Sequence, residues 1–159
     1  MVAKKKAESK KAETSDADEK AQVTKLAKRW TKGVINFGWT GIPNILIENQ
    51  QRIGLNPIQL NILIILLKHW WEHSNHPFPS KKKIAEITGR DKSTIQRNIR
   101  DMEKRNLIER VRRDRASGGQ DTNRYDLTPL VEVLKLLAKE QKELDEKREE
   151  EDGRRRRGK

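Results

Sequence analysis

Two short amphipathic stretches separated by a break dominate the hydrophobic pattern of residues 80–108. In the first stretch two isoleucines lie three positions apart, and in the second the apolar residues recur at steps of four and three. That spacing places them on one face of a helix. The apolar positions are Ile84, Ile87, Ile95, Ile99 and Met102. The pattern predicts two helices, each with one inward stripe.

The residues between the two stretches predict a tight turn. Gly89 can end the first helix in a left-handed conformation, and Asp91 is a good N-cap for the second helix. With the apolar stripe inward, the outward positions are Lys92, Ser93, Gln96, Arg97 and Arg100. Arg pairs with guanine, Gln with adenine, and Ser and Lys with phosphate. The alternative is a solvated helical hairpin with no role in nucleic-acid binding.

A β-hairpin is predicted after the second helix. Residues 108–113 (IERVRR) alternate as a strand does, and residues 123–127 (NRYDL) can form its partner. Between them, residues 116–122 contain Gly118-Gly119, which favours a turn.

Upstream of residue 80, the pattern predicts an entry strand and two more helices. The strand and a short helix ending at Gly54 lie within 33–54, with Pro43 at the first helical position. Asn56 and Pro57 then cap and start a longer helix that runs towards Trp70-Trp71. Its six consecutive apolar residues, 62–67, must be covered on more than one side, either within a monomer or partly at a dimer interface.

A C-terminal helix is predicted from Thr128-Pro129 to about residue 150. Leu130, Leu137 and Leu144 recur every seven residues, which favours dimerisation; the alternative is that the first turns pack on their own domain. The final GRRRRGK is expected to be a basic tail that binds phosphate without regard to sequence.

These segments resemble the winged helix-turn-helix family, in particular the MarR-like and replication-initiator-like domains of bacteria, phages and plasmids. The resemblance lies in FGWTGIPNILIENQ, in PFPSKKKIAEITGRDKSTIQRNIRDMEKRNLIERV, and in the GG hairpin followed by RYDL. It implies a mainly α fold with a small β-hairpin wing and a recognition helix over 91–104 in the major groove. The wing would lie beside the backbone or minor groove.

Charge agrees with a polyanionic partner. The chain of 159 residues has a formal charge of +12, and residues 81–115 hold thirteen Lys and Arg against six Asp and Glu. Residues 33–80 hold two of each sign. Such a localised field attracts DNA with an affinity that falls as salt rises.

We therefore expect a homodimer that binds double-stranded DNA, with Gln96, Arg97 and Arg100 contacting bases. The full set of expected DNA contacts is Ser80, Lys81, Lys82, Lys83, Arg90, Lys92, Ser93, Thr94, Gln96, Arg97, Arg100, Arg112, Arg113, Arg115 and Arg124. The role is a sequence-specific transcriptional regulator, most simply a repressor. The alternative is a plasmid or phage replication initiator or organiser that recruits a partner protein at origin repeats. A weaker alternative is an adaptor that uses the fold for protein contacts only.

Other classes of function find little support. There is no cysteine, so disulfides and Cys-based zinc sites are excluded. His69 and His73 have metal-ligand spacing, but no third ligand motif accompanies them. No P-loop or nucleophile motif is present, so we expect neither an enzyme nor a cofactor.

The expected organisation has four parts: a disordered basic tail (1–32), a winged helix domain (33–129), a C-terminal helix (130–150) and a basic disordered tail (151–159). The first residues contain no apolar run, so we expect no secretory signal, and the apolar runs elsewhere are too short for a membrane span. We expect a cytoplasmic, nucleoid-associated protein.

Overall fold

The computed structural model describes residues 21, 23–72, 75–111 and 123–157. The chain divides into two compact units, Met1–Trp39 and Thr40–Lys159. In the first unit, residues 21 and 23–30 are helical (α1), and Lys32–Ile35 forms a short helix (α2). None of the described residues of this unit is buried.

The second unit is mostly helical and carries one two-stranded antiparallel sheet. Its elements are α3 (Asn44–Glu48), α4 (Pro57–Lys68), α5 (Lys81–Thr88), α6 (Lys92–Lys104), β1 (Glu109–Val111), β2 (Arg124–Asp126) and α7 (Thr128–Arg157). Helices α4, α5 and α6 pack on one another, and α3 packs against α7. This confirms the predicted fold class, a mainly α domain with a β-hairpin.

Helix α4 is the centre of this unit. Its start is as predicted: Pro57 occupies the first turn, and Asn56 and Gln59 form a reciprocal capping box. Ile62, Leu63 and Leu66 are fully buried. Four of the six residues of the apolar run, Ile62, Leu63, Ile65 and Leu66, are therefore buried within one chain, in a core that also contains the stripe of α6 and Ile84 of α5.

Helix α7 belongs partly to the core. The Asp126 carboxylate accepts a hydrogen bond from the Thr128 backbone N–H at 2.8 Å, which fixes the start of the helix. Leu130 is buried, and Val133 and Leu134 pack against the core. The first heptad therefore packs within the domain. This agrees with the predicted alternative, in which the first turns of the helix pack on their own domain and not at a dimer interface.

The helix also continues beyond the predicted end near residue 150, as far as Arg157. Ion pairs one turn apart, such as Lys142–Glu146 at 3.7 Å, support its exposed half. Arginines near the C-terminal end also interact favourably with the helix dipole. Residues 158–159 lie outside the described part of the chain.

Two predictions for residues 33–54 were wrong. Instead of an entry strand, Lys32–Ile35 is helical, and the backbone satisfies itself locally, for example by Asn36 N–H donating to the Lys32 carbonyl. Instead of one helix ending at Gly54, α3 stops at Glu48. The Asn49 side chain donates to the Ile45 carbonyl at 3.0 Å and so competes with the helix backbone.

Ile87 was predicted to face inward with Ile84, but its side chain is 48% exposed. The inward face of α5 is centred between Ile84 and Ala85, which packs against the core. Ile87 therefore lies more than a quarter turn away from the centre of that face.

The predicted N-terminal tail lies partly outside the described residues, since residues 1–20 and 22 are not described. Residues 23–30 of that predicted tail are helical. The whole predicted turn of the wing, residues 116–122, is also outside the described part, as are residues 112–115 before it. Among the described helices, none combines the length and apolar character that crossing a bilayer requires.

Candidate nucleic-acid interface

The turn between α5 and α6 has the predicted geometry. Ser80 caps α5 by accepting from the Lys83 backbone N–H at 3.1 Å, and Gly89 ends it in a left-handed conformation with φ 63°. Asp91 then caps α6 by accepting from the Thr94 backbone N–H at 2.8 Å. The two helices are thereby fixed at a short, defined turn.

The Asp91 carboxylate is the centre of a small hydrogen-bond cluster. The hydroxyls of Ser93 and Thr94 both donate to it, the latter at 2.6 Å. These donors hold the pKa of Asp91 well below its usual range, so the group stays ionised. Ser93 and Thr94 were expected to contact DNA directly, whereas here their hydroxyls point at the cap. Their DNA contacts stay a prediction.

The outward face of α6 carries the predicted basic row. Arg97 and Arg100 are exposed, while Ile95 and Ile99 on the opposite side are fully buried; Lys92 is exposed at the first turn of the helix. Burial of the apolar stripe therefore sets which side chains the helix presents.

Gln96 differs from its neighbours because it is half-buried and already has a partner. Its Oε1 accepts a hydrogen bond from Lys81 Nζ at 3.4 Å. Lysine carries only donors, so this contact orients the amide with its oxygen towards α5. Among the described residues, no hydrogen-bond partner faces the Nε2 group.

Lys81 lies within a cluster of cations. Its pKa is lowered, first by burial and then by the positive charges of Arg110, Lys92 and Arg100. The acidic group that opposes these effects is Glu103, which is paired with Arg110. Positive charge from α5, α6 and β1 thus converges on one surface. A polyanion bound there would relieve the repulsion.

The base of the hairpin is anchored to the core. Arg110 lies opposite Tyr125 in the sheet, and Val111 lies opposite Arg124. The Tyr125 backbone N–H donates to the Pro77 carbonyl at 2.8 Å, which ties β2 to the segment before α5. Tyr125 is 1% exposed, and burial raises the pKa of its hydroxyl to about 12.

The remaining expected contacts fall into two groups. Lys82, Lys83 and Arg90 are exposed on α5 and the turn, and Arg124 is half-buried in β2. Arg112, Arg113 and Arg115 lie outside the described residues, so their placement stays a prediction.

Sequence reasoning missed two features of this surface. Arg110 was included in the predicted strand without a role, although strand alternation puts it on the face opposite Glu109 and Val111. The polar side chains Gln59 and Asn98, both buried, were also missed. They are hydrogen-bonded to residues some 42 positions away, a separation that no local pattern reveals.

No group of three or more potential metal ligands occurs among the described residues, which include His69 and His76 but not His73.

A family model described as a helix-turn-helix domain matches residues 54–108, from the turn before α4 to the start of β1. Among solved structures, the chain is similar to a possible transcriptional regulator from Methanosarcina mazei Go1, with 14% identity and a TM-score of 0.43. That similarity covers 66% of this chain and 87% of the other. No curated protein matches the chain. Residues 54–108 form a helix-turn-helix domain, and the hairpin that follows completes a winged helix-turn-helix.

Proposed function

We propose that this protein is a sequence-specific regulator that binds duplex DNA by placing α6 in the major groove, most simply as a repressor that occludes a promoter. The observation that carries the proposal is the division of α6 into two faces. Arg97 and Arg100 are exposed on one, whereas Ile95 and Ile99 are fully buried on the other. The helix has 13 residues, which gives a length of about 20 Å. A major groove about 12 Å wide admits such a helix.

The roles of the side chains follow from their positions. Arg97 and Arg100 would contact base edges, since they lie on the exposed face of α6. The cationic residues around the N-terminus of α5 and on the wing would contact phosphates. These phosphate contacts are Lys81, Lys82, Lys83, Arg112, Arg113, Arg115 and Arg124. Binding of this kind requires no catalytic group.

The proposal is tested by selecting bound duplexes from a random pool and then comparing the selected duplex with a shuffled one. Arg97→Ala should weaken binding to the selected duplex by about 1–3 kcal/mol and relax the preference at one base position. Lys104→Ala, which removes the same charge from the last turn of α6, is the control. Equal losses on both duplexes would assign Arg97 to phosphate, and no selected sequence at all would reject specific binding.

The selected sequence also separates repression from a second role. The segment FGWTGIPNILIENQ resembles replication-initiator-like domains, which favours binding at an origin. A selected site that recurs as direct repeats beside an origin would support replication initiation, whereas a single site at a promoter would support repression.

A further inference from the structure

Helix α6 has a polar stripe between its buried and exposed faces. Thr94, Asn98, Asp101 and Arg105 follow one another at steps of four, three and four, so they lie on one side of the helix. Side chains on that side form hydrogen bonds with the N-terminus of α4 and with the turn before it.

Two amides connect the middle of the stripe to α4. Asn56 Nδ2 donates to Asn98 Oδ1 at 3.0 Å, and Asn98 Nδ2 donates to the Thr94 carbonyl at 2.9 Å. One turn further along α6, Gln59 Nε2 donates to Asp101 Oδ2 at 2.7 Å. The capping box of α4 is therefore also a binding surface for α6.

Arg105 closes the connection at the end of α6. Its guanidinium donates to Gln59 Oε1 at 2.8 Å, to the Gly54 carbonyl at 2.7 Å and to the Ile53 carbonyl at 3.0 Å. It also pairs with Asp101 at 3.0 Å. Gly54 has φ 70°, and a Cβ there would lie 2.9 Å from Arg105 Nη1. Glycine thus leaves room for the guanidinium. We call Asn56, Gln59, Asn98, Asp101 and Arg105 the polar seam.

The polar seam adds little net stability to the packing of the two helices. Gln59 is 1% exposed and Asn98 is 7% exposed, and burial of such groups gains little beyond the hydrogen bonds that satisfy them. The adjacent stripe of Ile95, Ile99 and Met102 already supplies apolar burial. Apolar contact is non-directional, however, whereas hydrogen bonds fix both rotation and axial position.

We propose that the polar seam consists of positioning residues that set the rotation and register of α6 on α4, and thereby determine which base edges its outer face can reach. Its consequence at DNA rests on the proposed function, while its consequence for helix orientation does not. Polar groups that fix register at little or no gain in stability are known from coiled coils.

The test is a triple variant, Gln59→Leu, Asp101→Ala and Arg105→Met, which removes three of the five side chains of the polar seam without changing the net charge and leaves the Asn56–Asn98 hydrogen bond in place. Nonspecific attraction to phosphates is therefore preserved. The matched control, Glu132→Leu with Lys135→Met, removes an exposed ion pair of 2.7 Å from α7, also without a change of net charge. Each protein is measured on the selected and the shuffled duplex, and its thermal unfolding is recorded.

We expect the triple variant to bind the shuffled duplex as the unaltered protein does and to lose roughly tenfold or more in affinity for the selected duplex. Its unfolding midpoint should move by no more than about 5 °C. An unchanged ratio of the two affinities would overturn the inference. If the triple variant does not fold, Gln59→Met alone is measured well below its own unfolding midpoint. An unchanged ratio of its affinities for the selected and shuffled duplexes would then overturn the inference.

Residual dipolar couplings of backbone amides in α4 and α6 provide a second readout that needs no DNA. In the unaltered protein, one relative orientation should fit both helices, and in the triple variant the α6 couplings should be scaled down by averaging. Couplings that stay the same would overturn the inference even if the protein bound no DNA. If the couplings of the triple variant are scaled down but the unaltered protein itself does not discriminate between the two duplexes, the proposed function alone is rejected.

Discussion

At the scale of single residues, the contact between Lys81 and Gln96 orients one amide on the surface that we propose binds DNA. Gln96 Oε1 accepts from Lys81 Nζ at 3.4 Å, so the free amide group is a donor. The oxygen keeps a second lone pair, but its orientation towards α5 favours a contact made by Nε2 with an acceptor such as guanine N7 or O6 over the bidentate contact with adenine, which needs oxygen and nitrogen at the same base. The contact with Lys81 therefore disfavours the predicted pairing of Gln96 with adenine.

Removal of the lysine should change base preference as well as affinity. In Lys81→Met the amide is free to turn, and adenine should become more frequent at one position of the selected site. Selection from a random pool with both proteins measures this. Lys82→Met removes the same charge from the neighbouring, exposed position and serves as the control. Identical base preferences in all three proteins would show that Lys81 acts through charge only.

At the scale of elements, the base of the wing depends on a neutral Tyr125. Burial raises the pKa of its hydroxyl to about 12 from the ordinary 10.0, so the unfolded chain ionises at lower pH than the folded one. The contribution of the buried, neutral Tyr125 hydroxyl to the free energy of unfolding is fully present below pH 10, and it is lost as the pH rises from 10 to 12.

Tyr125→Phe cannot ionise, so its unfolding free energy should decrease less steeply over that pH range than that of the unaltered protein. Urea unfolding followed by circular dichroism between pH 9 and pH 12 measures both. The lysines titrate in both proteins, so the difference between the two curves isolates the tyrosine. If the unfolding free energies of the two proteins changed in parallel with pH, the raised pKa of Tyr125 would be contradicted.

The wing arginines should contribute to binding without regard to sequence. Replacement of Arg112, Arg113 and Arg115 by Ala should weaken binding to selected and shuffled duplexes alike. The slope of log affinity against log salt should become shallower by roughly 0.9 for each phosphate that the variant no longer neutralises. An unchanged slope would place the wing away from DNA.

Local physics made most of the helix-turn-helix predictable. Gly89 and Pro57 act through their own backbone, and the side chains of Asp91 and Asn56 cap backbone N–H groups three residues further on, so these roles can be read from neighbouring residues. The orientation of Ile87 depends on how a short helix settles on its neighbours, and the Gln59–Asp101 bond joins residues 42 apart. Such tertiary contacts have no signature in a single sequence.

At the scale of the whole molecule, α7 extends well beyond what the core needs. Its 30 residues span about 45 Å, and residues 138–152 are exposed on all sides. A helix with no buried face depends on ion pairs along its length or on a partner. Leu136 is 70% exposed and Leu144 is 43% exposed, so apolar surface remains after the first heptad has been used by the domain.

We therefore predict a homodimer at micromolar concentration that forms through the exposed half of α7. Truncation after Thr128 would remove Leu130 from the core, so the informative variant ends after Lys139 and keeps Leu130, Val133 and Leu134. This variant should be folded and monomeric and should bind DNA more weakly and with less cooperativity.

Light scattering gives the mass of each protein, and a variant that lacks residues 1–20 should remain a dimer. If the full chain is a monomer at this concentration and footprints a single half-site, the exposed half of α7 does not mediate self-association, and the ion pairs along it are what keep it helical.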